Sequence, residues 1–195
     1  MKKQGISQTI GVLVIAAAVL LFAFFRLTQS AGQRKEQPLE KTELEQLMEY
    51  DFVNEYPKTV RDVMKLYMRY LDYIYSEDVS EEQLAVLNGQ MRNLYANELL
   101  NYNSEDTQLN ALKEELAAYA KEKIIFVGYT MTEASQISYD TVEDKEYAKL
   151  SIVMNMKAKS SSADKEQDYV LEKNEIGQWK IYGWVLNMNN SMSGQ

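Results

Sequence analysis

Any chemistry in this chain falls to carboxylates, amines, hydroxyls and amides, because its 195 residues include neither cysteine nor histidine. That removes disulfides, thiolate and imidazole zinc sites, cysteine nucleophiles, histidine-ligated haem and the Ser-His-Asp triad. It also removes a lipid anchor attached through cysteine. The 29 acids supply many carboxylate pairs of the kind glycoside hydrolysis uses, but their separation in space cannot be read from the chain. Asp140, Glu143, Asp144 and Glu146 offer oxygen ligands to a hard cation, yet lack the EF-hand spacing and read as a solvated hairpin connection. Glu81, Glu82 and the Glu114-Glu115 pair read as solvated helix faces. The eight glycines stand singly, with no Gly-Lys-Ser/Thr, so no phosphate-cradling loop is expected. No catalytic residue, metal ligand or cofactor site emerges, and the expectation is a domain that is not an enzyme.

Tyrosine is abundant, with 14 in the chain, and Tyr67, Tyr70, Tyr73 and Tyr75 fall in one short stretch. Lining an interior, such rings would grip a cyclic or peptide ligand by stacking and hydroxyl hydrogen bonds; the plainer reading makes Tyr67 and Tyr70 core wall with hydroxyls at the rim. Trp179 and Trp184 stand five positions apart in one strand-like run, which puts them on opposite faces, so both cannot line the core. Lys180 and Tyr182 then share the Trp184 face, either a partner-binding surface or the side beneath a helix. Tyr67, Tyr70, Tyr182 and Trp184 are therefore the candidate ligand or partner face.

The elements that must carry these groups begin with 22 uncharged residues between Lys3 and Arg26. Residues 10–25 (IGVLVIAAAVLLFAFF) are apolar apart from Gly11, and residues 6–27 as a helix reach about 33 Å, enough to cross a hydrocarbon core of about 30 Å. Ile10, Val12, Leu13, Val14, Ile15, Leu20, Leu21, Phe22, Phe24 and Phe25 form the expected anchor in membrane lipid. A cleaved signal peptide is the alternative, given Lys2, Lys3 and the small residues of LTQSA. Against it, Leu21, Phe22, Phe24, Phe25 and Leu27 fill the cleavage region with bulk, and no Ala-x-Ala follows. The short N-terminal tail and the acidic remainder favour a single-pass protein with its tail in the cytoplasm and its domain outside. The remainder carries −11, because residues 1–27 contribute Lys2, Lys3 and Arg26 and no acid to the whole-chain −8. Such a surface repels phosphates, so nucleic acid is not an expected partner.

Residues 28–55 read as a polar juxtamembrane linker followed by a stalk helix, in which Leu39, Leu44, Leu47, Met48 and Phe52 recur until Pro57 interrupts. About two heptads of that spacing offer a route to self-association. Residues 56–187 then read as one α+β domain. Val60, Val63, Met64, Tyr67, Leu71 and Ile74 follow the helical period, Ser80 and Gln83 form a capping box ahead of Leu84, Leu87 and Met91, and Ser104 opens a helix through Leu109, Leu112, Leu116 and Tyr119. From Lys123 the period becomes two, with Ile124 and Phe126 opposite Ile125, Val127 and Tyr129. Across residues 147–158, Ala148, Leu150, Ile152, Met154, Met156 and Ala158 share a face. A turn at 160–166, a short strand at 168–172, a turn at 174–177 and a strand at 178–186 complete a four-stranded antiparallel meander, curved around the helices. Residues 188–195 read as a disordered tail.

That order of elements, and the closing hairpin YVLEKNEIGQWKIYGWV at 169–185 with Gly177, Trp179 and Lys180 after an acidic turn, resembles the cone-shaped nuclear transport factor two-like superfamily over about residues 56–186. The resemblance implies a cone-like α+β domain. Enzymes of the superfamily use Asp and often His inside the cone, and no motif here aligns an Asp to such a position. Its membrane-anchored bacterial members include scaffold subunits of conjugative secretion machines and accessory domains of wall enzymes, which implies an extracytoplasmic binding or assembly module with a protein or cell-wall partner. The alternative is a small-ligand binder, or a carboxylate- and tyrosine-based enzyme, working inside the cone.

Overall fold

Residues 41–158 and 164–187 are described by the computed structural model of the chain. The expected anchor from Ile10 to Phe25, the juxtamembrane linker and the tail at 188–195 lie outside the described residues. Among the described residues, no helix is long and apolar enough to cross a membrane.

The first helix, α1 (Glu43–Met48), is opened by a full capping box between Thr42 and Glu45. It ends where the Asp51 carboxylate accepts hydrogen bonds from the amides of Val53 and Asn54, both at 3.0 Å, and turns the chain. The stalk expected across these residues is therefore six residues of helix packed into the domain. Leu47 is fully buried, its carbonyl accepts from the Tyr70 hydroxyl at 2.9 Å, and the Met48 carbonyl accepts from Gln90 Nε2 at 2.7 Å. Those bonds satisfy carbonyls that a free helix end would leave to water.

The central helix α2 (Val60–Ser76) is capped by the Thr59 side chain on the Asp62 amide and buries Val60, Val63, Met64, Tyr67, Leu71 and Ile74, the stripe its spacing predicts. Helix α3 (Glu81–Met91) has both halves of the Ser80–Gln83 capping box. A 3₁₀ turn at Arg92–Leu94 follows. Tyr95 then bridges to Ile181, and the Ala96 amide donates to the Ile181 carbonyl at 2.9 Å, covering part of a sheet edge. The short α4 (Asn97–Tyr102) has no counterpart in the sequence reading; none of its residues is fully buried, and Leu99 and Leu100 pack part-buried against the core. Helix α5 (Glu105–Glu122) starts at its Ser104 cap and stops at Lys123, which adopts a left-handed conformation at φ 54°.

Five antiparallel strands follow: β1 (Ile125–Met131), β2 (Ser138–Val142), β3 (Lys145–Lys157), β4 (Lys165–Lys173) and β5 (Trp179–Leu186). The order is β1-β3-β4-β5, with β2 also paired to β3. Strand β3 is long enough for β1 to occupy one stretch of its edge, Ile152 to Lys157, while β2 takes Lys145 to Lys149. Four strands were expected. The additional one, β2, is exposed at every position, so no alternation marks it. Glu143 and Asp144, both at positive φ, make the two-residue turn between β2 and β3. On β3, Ala148, Leu150, Ile152, Met154 and Met156 are buried as the alternation predicts, and they meet α2 across the core with Tyr169, Leu171 and Ile181.

Two bulges overturn face assignments made from a strict period of two. In β1 the register shifts between Phe126 and Gly128, so that Tyr129 pairs with Met154 and joins Phe126, the partner of Met156, on the core face. Gly128 at φ 142° supplies the backbone there. In β5, Ile181 pairs with Leu171 and Gly183 with Val170, which leaves Tyr182 as the extra residue. Trp184 therefore lies opposite Tyr169 and shares the inner face with Trp179 and Ile181, while Tyr182 points away from it.

Candidate functional site

A half-open cavity of about 190 Å³ remains between α2, α5 and the inner face of the sheet, walled by Tyr67, Tyr75, Tyr95, Leu112, Met154 and Trp184. Its aromatic wall is continuous. The Tyr67 ring stands 5.8 Å from that of Tyr169, 6.1 Å from Tyr95 and 6.5 Å from Trp184. Tyr95 accepts a hydrogen bond from Gln108 Nε2 at 2.9 Å, and Gln108 is held in turn by Arg92 at 2.7 Å.

The polar side of the cavity is built on Glu115. Its carboxylate accepts from the hydroxyls of Tyr75 at 2.8 Å and Tyr119 at 2.7 Å, and from Lys165 Nζ at 2.7 Å. Lys165 also bonds the Tyr119 hydroxyl. Glu115 follows Leu112 by three residues and precedes Tyr119 by four, which sets it on the inward stripe of α5. Lys165 pairs with Met154, whose side chain is in the core, so the strand's pleat turns the lysine inward too. The sequence reading placed Glu115 on a solvated face and Lys165 in a turn. The i−3, i+4 placement of Glu115 between apolar neighbours was the available signal.

Burial alone would raise the Glu115 carboxyl, and the bonds from Lys165, Tyr119 and Tyr75 outweigh it, leaving the group below the usual carboxylate range. Burial would likewise lower Lys165, and Glu115 with Tyr119 lifts it above its ordinary value. Burial raises Tyr75, with Glu115 adding to it, and raises Tyr119 despite its contact with Lys165. The two hydroxyls thus donate to a standing carboxylate–ammonium pair. Such a cluster fixes geometry and charge; with its acid pinned low and its amine pinned high, it is not poised to shuttle a proton at neutral pH.

The four residues expected to form one ligand or partner face divide. Tyr67 and Trp184 meet in the cavity wall. Tyr70 is fully buried against α1, with its hydroxyl on Leu47. Tyr182 lies on the outer face of the sheet, its ring 5.9 Å from that of Tyr147. Trp179 is buried as well, under the Tyr139 ring. Among the acids near the β2–β3 hairpin, Glu146 bonds Lys173 at 2.9 Å.

Fold and cavity together define an α+β domain in which helices pack against a five-stranded antiparallel sheet, with a small aromatic cavity bordered by a part-exposed ion pair. Over residues 1–184 the chain matches the model of a domain of unknown function, DUF6715, and it belongs to that family. A comparison with curated proteins finds no match.

Proposed function

We propose that the chain is a single-pass, membrane-anchored, extracytoplasmic binding or assembly module without catalysis of its own, its domain a cone-like member of the nuclear transport factor two-like superfamily. The observation that carries this reading is the state of the interior. Core side chains leave about 190 Å³, below the roughly 300–1,000 Å³ of pockets that bury small ligands. The polar groups facing that space already satisfy one another. The uncharged run from Ile10 to Phe25 supports the anchor, and the acidic remainder supports a protein or cell-wall partner over nucleic acid.

Protease accessibility in intact cells tests the arrangement, with the chain tagged at its C-terminus. Membrane-associated protein digested before lysis supports the reading. Protection until lysis reverses the orientation, and recovery in a soluble fraction removes the anchor. One observation favours a second reading: the rings of Tyr67, Tyr95 and Trp184 would suit a small planar ligand. Native mass spectrometry of the purified chain showing a stoichiometric bound small molecule would select it.

A further inference from the structure

A groove of about 760 Å³ runs between the start of α4, the β2–β3 turn and the β4–β5 turn. Five acids line it, Glu98, Asp144, Glu146, Glu172 and Glu175, against two lysines, Lys145 and Lys173. Lys173 is engaged by Glu146 at 2.9 Å. Glu172 is different from the other acids. It is 7% exposed, and its Oε2 has no hydrogen-bond partner. Burial, then the charge of Glu98, pushes its carboxyl above the usual range. A buried carboxylate oxygen without a donor is costly, and natural proteins keep such groups where something else supplies the donor.

The nearest cation does not supply it. Lys145 Nζ forms long ion pairs with both acids, 3.6 Å from Glu98 Oε1 and 3.9 Å from Glu172 Oε2, too far for a short direct hydrogen bond, and the lysine side chain is 55% exposed. An ammonium on a flexible stem, held this loosely, is readily displaced. The two carboxyl groups lie close enough to hydrogen-bond one another, and a rigid cationic donor could serve both at once in place of that contact and the long Lys145 pairs. A guanidinium has that form: planar, permanently charged and forked, with five N–H groups. Ile176, exposed on the β4–β5 turn, adds an apolar surface at the rim for the methylene stem of such a residue.

We propose that this groove binds an arginine side chain of a partner protein, whose guanidinium displaces Lys145 and bridges Glu98 and Glu172. The proposal deepens the binding-module reading by naming the partner's chemistry. It rests on that reading only for the existence of a partner, because the groove is defined by its own residues.

The test is a titration of the full chain in a neutral detergent with N-acetyl-arginine methylamide, its uncharged analogue N-acetyl-citrulline methylamide, and N-acetyl-lysine methylamide, followed by the backbone amide signals of Asn97, Glu98, Lys145 and Gly177. Saturable shifts with the arginine probe alone are expected. Glu98→Gln and Glu172→Gln should each weaken that binding by roughly tenfold or more, the scale of one lost charge-assisted bond. No saturable response, an equal response to citrulline, or binding unchanged in both variants overturns the site. Lysine binding as tightly as arginine overturns the guanidinium specificity. If Glu172→Gln does not fold, Glu98→Gln, at a part-exposed position, carries the test. The protease experiment does not involve the groove, so the failure of one reading is separable from the failure of the other.

Discussion

Replacing Lys165 with Met removes the cation from the Glu115 cluster and leaves the carboxylate with its two tyrosine donors. Hydrogen bonds to charged groups contribute about 1.5–3 kcal/mol in buried settings. Here the Lys165 and Glu115 side chains are 34% and 33% exposed, so water replaces part of what is lost, and a cost of about 1–2 kcal/mol at pH 7 is expected. The pH dependence identifies the cause. Glu115 has a folded pKa below its unfolded value, so its contribution is complete above the unfolded carboxyl pKa, near 4.3, and is lost as pH falls through the folded pKa. Lys165 is raised, so its contribution is complete below about 10.4 and is lost as pH rises through its folded value. The stabilising window lies between those limits. Urea denaturation of the parent and the Lys165→Met chain, in neutral detergent at pH 7 and then at a series of falling pH values, should show the difference shrinking as Glu115 becomes protonated. A difference that stays undiminished throughout the acid series would refute the ion-pair account and assign the effect to packing of the lysine over the Tyr119 ring, 4.8 Å away.

Three further substitutions probe other parts of the fold. Tyr70→Phe leaves the buried Leu47 carbonyl without its 2.9 Å donor and should cost about 1–1.5 kcal/mol, with faster amide exchange in α1; slower exchange or no stability change would mean α1 is held by packing alone. Asn88 is fully buried in α3 with neither side-chain polar atom hydrogen-bonded, so Asn88→Leu should raise stability by about 1–2 kcal/mol, and a lower urea midpoint would count against it. Gly177 sits at φ 80° in the β4–β5 turn with open space where a Cβ would go, so Gly177→Ala should cost about 1 kcal/mol through backbone conformation alone, read as a fall in thermal midpoint.

Features that rest on near neighbours along the chain were legible before folding was considered. The buried stripe of α2, the capping box from Ser80 to Gln83, the Ser104 cap and the alternation of β3 are each set by residues within about four positions of one another, and periods of 3.6 and two expose them directly. The α+β class follows from the same patterns. Features that depend on residues far apart, or on a single inserted position, emerge only in the folded chain. One bulge residue at Tyr182 reverses every face after it without altering composition, which is why Trp184 lies inside with Trp179. Strand β2 carries no alternation because it is exposed throughout, so only its pairing with β3 reveals it. Glu115 meets Lys165 across 50 residues of chain, and Glu98 comes beside Glu172 only when α4 and the β4–β5 turn fold onto the same groove. A carboxylate has the same letter whether solvated, paired or buried without a donor; its neighbours in space decide which, and those neighbours are chosen by the fold.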